Sequence, residues 1–566
     1  MKTAALLPLV ALAPLAFAQS NFGVSVDSTG TFGNDFSYFS VISDDGRYIA
    51  FQSESSNLAS GDFNGRYDIF RHDLVTRETV LVSLRSNGTG SGNSLSLAPD
   101  ISGDGRYVVW SSNASNLVAG DSNGTWDVFL RDLQAGVTER ISLTSTGAQA
   151  TDRSDEPSIT PDGSYVVFES DAALVPTDTN GQKDVYRLTR ATGTLELVSI
   201  SQSGVQGNGW SYHGEASDDG RYVSFTSAAD TFVPGDTNGL TDIFRKDMST
   251  GELVRVNVSS SGTQSSSETN WPSISGDGTT VVFSSRSPLV TGDTNQNWDI
   301  FARDVAAGTT ERINVRPDGG QANSYARSPV SLSTDGQFVL YASLSTNLVA
   351  GDTNDSQDVF LRNRTTGTTE RLNLSTSGGE LNDDSWVPAM TPDVAVITYT
   401  SEATNIVLGD TNGERQIFAR SLTDDLGTSY CDAVPNSTGA AAEISATGSA
   451  AVSANDVTLH ATSLPPQSFG FFLTSQDQAF TQTPGGSQGN LCLGGAVGRF
   501  IGPGQIQNSG LVGEISVAID LSAFPQPNGF VAVAAGETWN FQLWTRDSIG
   551  GMPTSNFTDG LTIDFQ

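Results

Sequence analysis

The phrase Asp-x-Asn-x-x-x-Asp occurs six times in this chain, and a seventh copy ends in Gln416. The copies supply Asp62, Asn64 and Asp68; Asp121, Asn123 and Asp127; Asp178, Asn180 and Asp184; Asp236, Asn238 and Asp242; Asp293, Asn295 and Asp299; Asp352, Asn354 and Asp358; and Asp410 with Asn412. Two carboxylates and an amide oxygen in one short loop are hard-cation ligands, and calcium wants roughly six to eight such oxygens. In the fourth copy a glycine at the fourth position, Gly239, permits the sharp bend that would curl the loop around an ion. The expectation is a structural calcium-like ion in these loops, best formed in the second, fourth and fifth copies and least in the seventh. The competing expectation is turn scaffolding, because Asp and Asn side chains hydrogen-bond nearby backbone N–H groups.

Other candidate chemistry is sparse. The loop resembles the start of an EF-hand but lacks its distal Glu. Gly485-Gly486-Ser487-Gln488-Gly489 matches the G-x-S-x-G string of a nucleophile elbow, yet no strand-to-helix context surrounds it and no histidine follows. It reads as a glycine-rich loop. The three histidines, His72, His213 and His460, are scattered and form no local metal triad. His72 reads as a surface variation on a strand. Carboxylates are too numerous to single out a glycosidase pair.

The acidic phrase returns about every 58 residues, which marks one supersecondary unit repeated as an array or ring. Each unit carries a hairpin signal: Asp45-Gly46, Asp104-Gly105, Asp162-Gly163, Asp219-Gly220, Asp277-Gly278 and Asp335-Gly336, degraded to Asp393-Val394 in the last. An apolar run such as Tyr107-Val108-Val109-Trp110 follows the turn. A long loop then leads to a third strand such as Asp127–Arg131, and a short turn to a fourth such as Thr138–Leu143. Four antiparallel strands per unit, several apolar on consecutive positions, suit propeller blades buried on both faces. The seventh unit lacks a fourth strand, while Phe22–Gly30 is a spare one that matches the fourth-strand pattern. The prediction is a seven-bladed β-propeller closed by an N-terminal strand, which leaves blade 7 without an open edge.

The Ser/Thr-x-Asp-Gly-x-x-Val-x-Phe run followed by Asp-Ile/Val-Phe resembles the WD40-like repeat of TolB-type propellers. That resemblance implies a binding platform rather than one activity, since such propellers also accompany peptidases and lyases. The chain departs from the short TolB repeat in its long second-to-third-strand loop.

Residues 1–18 read as a signal peptide: Lys2, an apolar stretch, then Ala16-Phe17-Ala18 before Gln19. Residues 19–422 read as the propeller and 423–566 as a β-sandwich pinned by a Cys431–Cys492 disulfide. Phrases such as Gly486-Ser487-Gln488-Gly489-Asn490-Leu491-Cys492 resemble a C-terminal module of exported bacterial proteins. A secreted protein is expected, with periplasm or cell surface as variants. The net charge of −34 argues against nucleic acid and anionic membranes. No stretch after the leader is apolar enough to span a bilayer.

The loops entering the innermost strands hold Tyr38, Trp210, Tyr212, His213, Trp271, Tyr325, Arg327 and Trp386. Aromatics with a few polar groups suit a glycan, peptide or protein ligand on the long-loop face; the bland alternative is channel filling. Three functions stay open: a non-catalytic binding protein, a secreted polysaccharide lyase or glycosidase, and a cell-surface or matrix component.

Overall fold

The structure is a computed structural model that describes residues 21–326, 329–375, 378–407, 413–422, 426–431, 433–448, 450, 452, 455, 457–510, 513–549 and 552–565. The expected leader, Asp410, Asn412 and Arg327 lie outside the described residues. The chain divides into two units after Leu422.

The first unit is a seven-bladed propeller of four-stranded antiparallel sheets. Blade 1 runs outward from the axis as Ser37–Ile42, Tyr48–Ser53, Asp68–Asp73 and Thr79–Leu81. The others repeat this order, so that blade 4 comprises Ser211–Ala216, Tyr222–Ser227, Asp242–Asp247 and Leu253–Arg255. In blade 7 the outer strand is Asn21–Gly23, paired with Gln416–Ser421. The expected N-terminal closure is therefore present. The ring meets itself where Ser40 Oγ and Thr398 Oγ1 lie 3.0 Å apart, between blades 1 and 7.

Consecutive apolar residues in the second strands follow from burial on both faces. Ile49, Ala50 and Phe51 are all inaccessible, and they pack alternately toward blade 7 and blade 2. Each blade also holds one stacked aromatic pair across its second and third strands, from Phe51–Phe70 at 5.8 Å to Tyr399–Phe418 at 6.1 Å. Such pairs add about 0.5–1.5 kcal/mol each beyond simple burial. Burial on both faces also corrects the reading of His72. It is 2% exposed on the third strand, with Nδ1 2.8 Å from Thr79 Oγ1, so it is an interior residue.

The hairpin turns behave as their sequence dictates. In blade 1 Asp45 Oδ1 accepts hydrogen bonds from Ser43 Oγ and the Arg47 N–H, while Gly46 takes a φ of 70°. Val394 holds the same left-handed conformation, at φ 63°, where the glycine is missing from blade 7.

The second unit is a β-sandwich. One sheet runs Thr428–Cys431, Gly560–Asp564, Thr538–Ile549, Phe469–Ser475, Gly498–Arg499, with Met552–Phe557 and Gln507–Asn508 alongside. The other is Glu443–Gly448, Val457–Thr462, Ile515–Ile519. In this three-stranded sheet buried residues alternate with more accessible ones, as in Val457–Thr462 and Ile515–Ile519, because one face is wet. Leu459, Phe472, Val517, Trp539 and Phe541 fill the core, and Cys431 is bonded to Cys492. Ser487 sits beside a 3-10 turn at Pro484–Gly486 and donates its hydroxyl to the Ser555 carbonyl at 2.8 Å. It is a tied-down loop serine, as its sequence context predicts.

Candidate functional site

Each acidic loop ends by delivering its last Asp to the start of the third strand, where it is fully buried. Asp68 Oδ1 accepts the Ser83 hydroxyl at 2.6 Å, and the same bond recurs as Ser142–Asp127, Ser199–Asp184, Asn257–Asp242, Asn314–Asp299 and Asn373–Asp358. This carboxylate ties the long loop to the end of the fourth strand. The Asn of the phrase makes an Asx turn: Asn64 Oδ1 accepts the Arg66 N–H, and Asn238 Oδ1 the Leu240 N–H. Turn scaffolding thus accounts for part of the motif.

The first Asp of the phrase meets a different partner. In blade 4 the Arg255 guanidinium lies 3.1 Å from both Asp236 and Asp242. Arg140 bridges Asp121 and Asp127 in blade 2, Arg312 bridges Asp293 and Asp299 in blade 5, and Arg371 bridges Asp352 and Asp358 in blade 6. The copies that fit calcium best by sequence are thus among those in which a guanidinium sits between the carboxylates. The arginines escape a loop-by-loop reading because they come from the fourth strand, opposite Phe129, Phe244, Phe301 and Phe360. In blade 3 that register position is Leu197, and Tyr186 Oη donates to Asp178 instead.

The channel is lined by the innermost strands, and each of six blades places a non-glycine residue there in the left-handed region: Phe39, Ala98, Glu156, His213, Trp271 and Val387, at φ 46–55°. Each marks a break in register with the second strand. All six border a cavity of about 350 Å³ on the axis, within the size range of small-ligand sites. Side chains of the preceding blade accept from the bulged N–H groups: Gln52 for Ala98, Ser111 for Glu156 and Glu169 for His213.

Two carboxyl groups in this cavity were not legible as special. Asp100 accepts from the Ile159 N–H of the next blade at 2.7 Å, and Glu215 accepts from the Ser273 hydroxyl at 3.2 Å. Burial pushes Asp100 up to about 6; burial, with the nearby Asp100 charge, pushes Glu215 up to about 8. The available signal was a charged residue where the neighbouring blades carry Ser158 and Ser273. Higher in the channel Lys183 Nζ joins Asp155 at 3.1 Å and Glu169 at 2.7 Å. Burial and the Asp155 charge raise Glu169 to about 8, and burial lowers His213 to about 4, so His213 is neutral near pH 7.

The expected ligand-face residues fall into two groups at the long-loop mouth. Trp210, 48% exposed, stacks on Tyr212 with ring centres 5.0 Å apart, and His213 meets Tyr212 edge-on. In blades 1 and 7 the Arg415 guanidinium lies 4.5 Å from the Trp386 ring centre and 5.4 Å from that of Tyr38. Arg415 was missed because it sits in the least regular repeat. Trp271 belongs to the cavity wall, and Tyr325 is exposed on the blade 6 approach.

No family model matches the chain, and no curated protein matches it. Among solved structures it is similar to an oligogalacturonate lyase from Vibrio parahaemolyticus, at 14% identity over 72% of this chain and 97% of that one, with a TM-score of 0.43. A putative TolB from Agrobacterium tumefaciens matches at 18% identity over 61% of this chain and 95% of that one, with a TM-score of 0.34. A GH74 enzyme from Niastella koreensis matches at 11% identity over 95% and 80%, with a TM-score of 0.40. TolB-like propellers and enzymes both stand among the neighbours. Likeness at this level carries no argument about activity.

Proposed function

We propose that the chain is an exported, non-catalytic binding protein whose propeller receives a neutral glycan or a peptide segment at the long-loop mouth of the channel. The observation that supports this most is the pair of aromatic platforms there: Trp210 stacked on Tyr212, and Trp386 with Tyr38 under Arg415. Flat rings with adjacent hydrogen-bonding groups bind sugar faces and peptide side chains with little loss of conformational entropy. The net charge of −34 disfavours anionic polysaccharides. Export is supported by the leader-like N-terminus and the Cys431–Cys492 bridge.

A second reading, catalysis on a polysaccharide, rests on Asp100 and Glu215, whose raised values would suit a general acid. Their hydrogen bonds to the next blade favour a role as struts instead. Screening the full chain on arrays of neutral glycans and peptides, then titrating hits against Trp210→Ala and Trp386→Ala, tests the binding reading. We expect at least a tenfold loss of affinity in one variant. The absence of any hit, or affinities untouched in both variants, would defeat it. Release of reducing ends or unsaturated products, abolished by Glu215→Gln, would favour the enzyme.

A further inference from the structure

Blade 1 is the exception to the charge balance of the acidic loops. Its register position opposite Phe70 is Leu81, where blades 2, 4, 5 and 6 supply an arginine. Its isolated bridge partner is Ser91, where blades 2 to 5 supply a glutamine that reaches the loop, as Gln149 Nε2 does to Asp121. Its third-strand aromatic is Phe70, which lacks the hydroxyl that Tyr186 gives Asp178. All three partners of the first Asp are thus replaced in the same blade.

Asp62 is left in an unusual state. The residue is 4% exposed, and both carboxylate oxygens are buried without a completed hydrogen bond. The Asn64 N–H and the Ser91 hydroxyl lie beside it; Ser91 Oγ accepts the Phe63 N–H and keeps its own proton to offer Asp62, so both neighbours are neutral donors. Asp68 stands next to it, with Oδ1 accepting the Ser83 hydroxyl and Oδ2 accepting from Asn64 Nδ2, both at 2.6 Å. Among the described residues no Lys, Arg or His forms an ion pair with either carboxylate. Asp178 in blade 3, which also lacks an arginine, differs because Tyr186 and Gln206 occupy its two oxygens. Two buried carboxylates in contact cannot both stay ionised without a positive partner.

We propose that, among the blades whose acidic loop is described, blade 1 alone binds a hard divalent cation, calcium by chemistry, between Asp62 and Asp68, in the place that arginine fills in blades 2, 4, 5 and 6. The donors are all oxygen: both carboxylates, the Ser91 hydroxyl, the Gly92 carbonyl now bonded by Asn64, and water. A surface cavity walled by Gly61, Phe63 and Leu81 flanks the loop. The alternative state is one proton shared by the two carboxyls.

Full-length protein stripped with EDTA and titrated calorimetrically with Ca²⁺ alone distinguishes these states. One site per chain is expected, with a thermal midpoint raised by several degrees on saturation. Leu81→Arg and Asp62→Asn should each abolish both effects, and Leu81→Arg should keep the midpoint of the stripped protein. Should Leu81→Arg fail to fold by circular dichroism, the double variant Arg140→Leu with Gln149→Ser, which gives blade 2 the blade 1 residues, serves in its place and should add a second site. Absence of binding, binding of two or more ions by the unaltered chain, or binding unchanged in Asp62→Asn would overturn the proposal.

Discussion

The Ser25 hydroxyl donates to Gln416 Oε1 at 2.6 Å across 391 residues of chain. It is the same bond that Ser83 makes to Asp68 within blade 1, so the N-terminal segment replaces the missing outer strand of blade 7 down to its side-chain contacts. Ser25 Oγ also accepts the Ile417 N–H at 2.9 Å. Ser25→Ala should therefore leave two buried polar groups unpaired at once. We expect a loss of about 2 kcal/mol, read as a lower denaturant midpoint with an unchanged m-value.

Arg255 is the strongest test of the internal guanidiniums. Replacing it with Leu leaves Asp236 and Asp242 buried together without their shared cation. Truncating one partner of a buried ion pair costs about 3–5 kcal/mol. Arg255→Leu in EDTA should unfold at a clearly lower temperature, and added Ca²⁺ should recover part of the difference.

Stability should fall as pH rises from about 4.5 to about 8. Glu169 and Glu215 are both held up to about 8 by burial, well above ordinary glutamate. A group whose folded-state value is raised contributes fully below its unfolded value and loses that contribution as pH climbs through the folded one. Melting curves at pH 5, 7 and 9 should descend in that order. Glu215→Gln should flatten the slope, and a slope identical to that of the parent would refute the assignment of Glu215.

Val394 keeps a conformation that a β-branched residue tolerates poorly. Val394→Gly should restore the turn found in the other blades and stabilise by about 1 kcal/mol, the relief of the left-handed strain less the added freedom of the unfolded chain. A small rise in the melting temperature checks it, and a fall would show that the valine's packing in the blade 7 core outweighs the strain.

Much of the fold is legible because its signals are local. The Asp-Gly turn, the apolar second strand and the spare segment at Phe22 each fall within a few consecutive residues. The chemistry of the loops is less legible because it is completed across strands. Asp236 looks like half of a metal site until Arg255, one strand away in register, is brought to it. Likewise Asp100 and Glu215 gain meaning only when the innermost strands meet at the axis.

The bulges along the axis have a consequence for recognition. An innermost propeller strand is a sheet edge with unpaired N–H and C=O groups, the usual template for adding a further strand. Here the left-handed residue interrupts that edge in six blades, and in three of them a neighbouring side chain already occupies the freed amide. A peptide entering the channel therefore finds no continuous ladder to extend on those six blades. Selectivity at this axis must come from side chains and shape, not from β-augmentation.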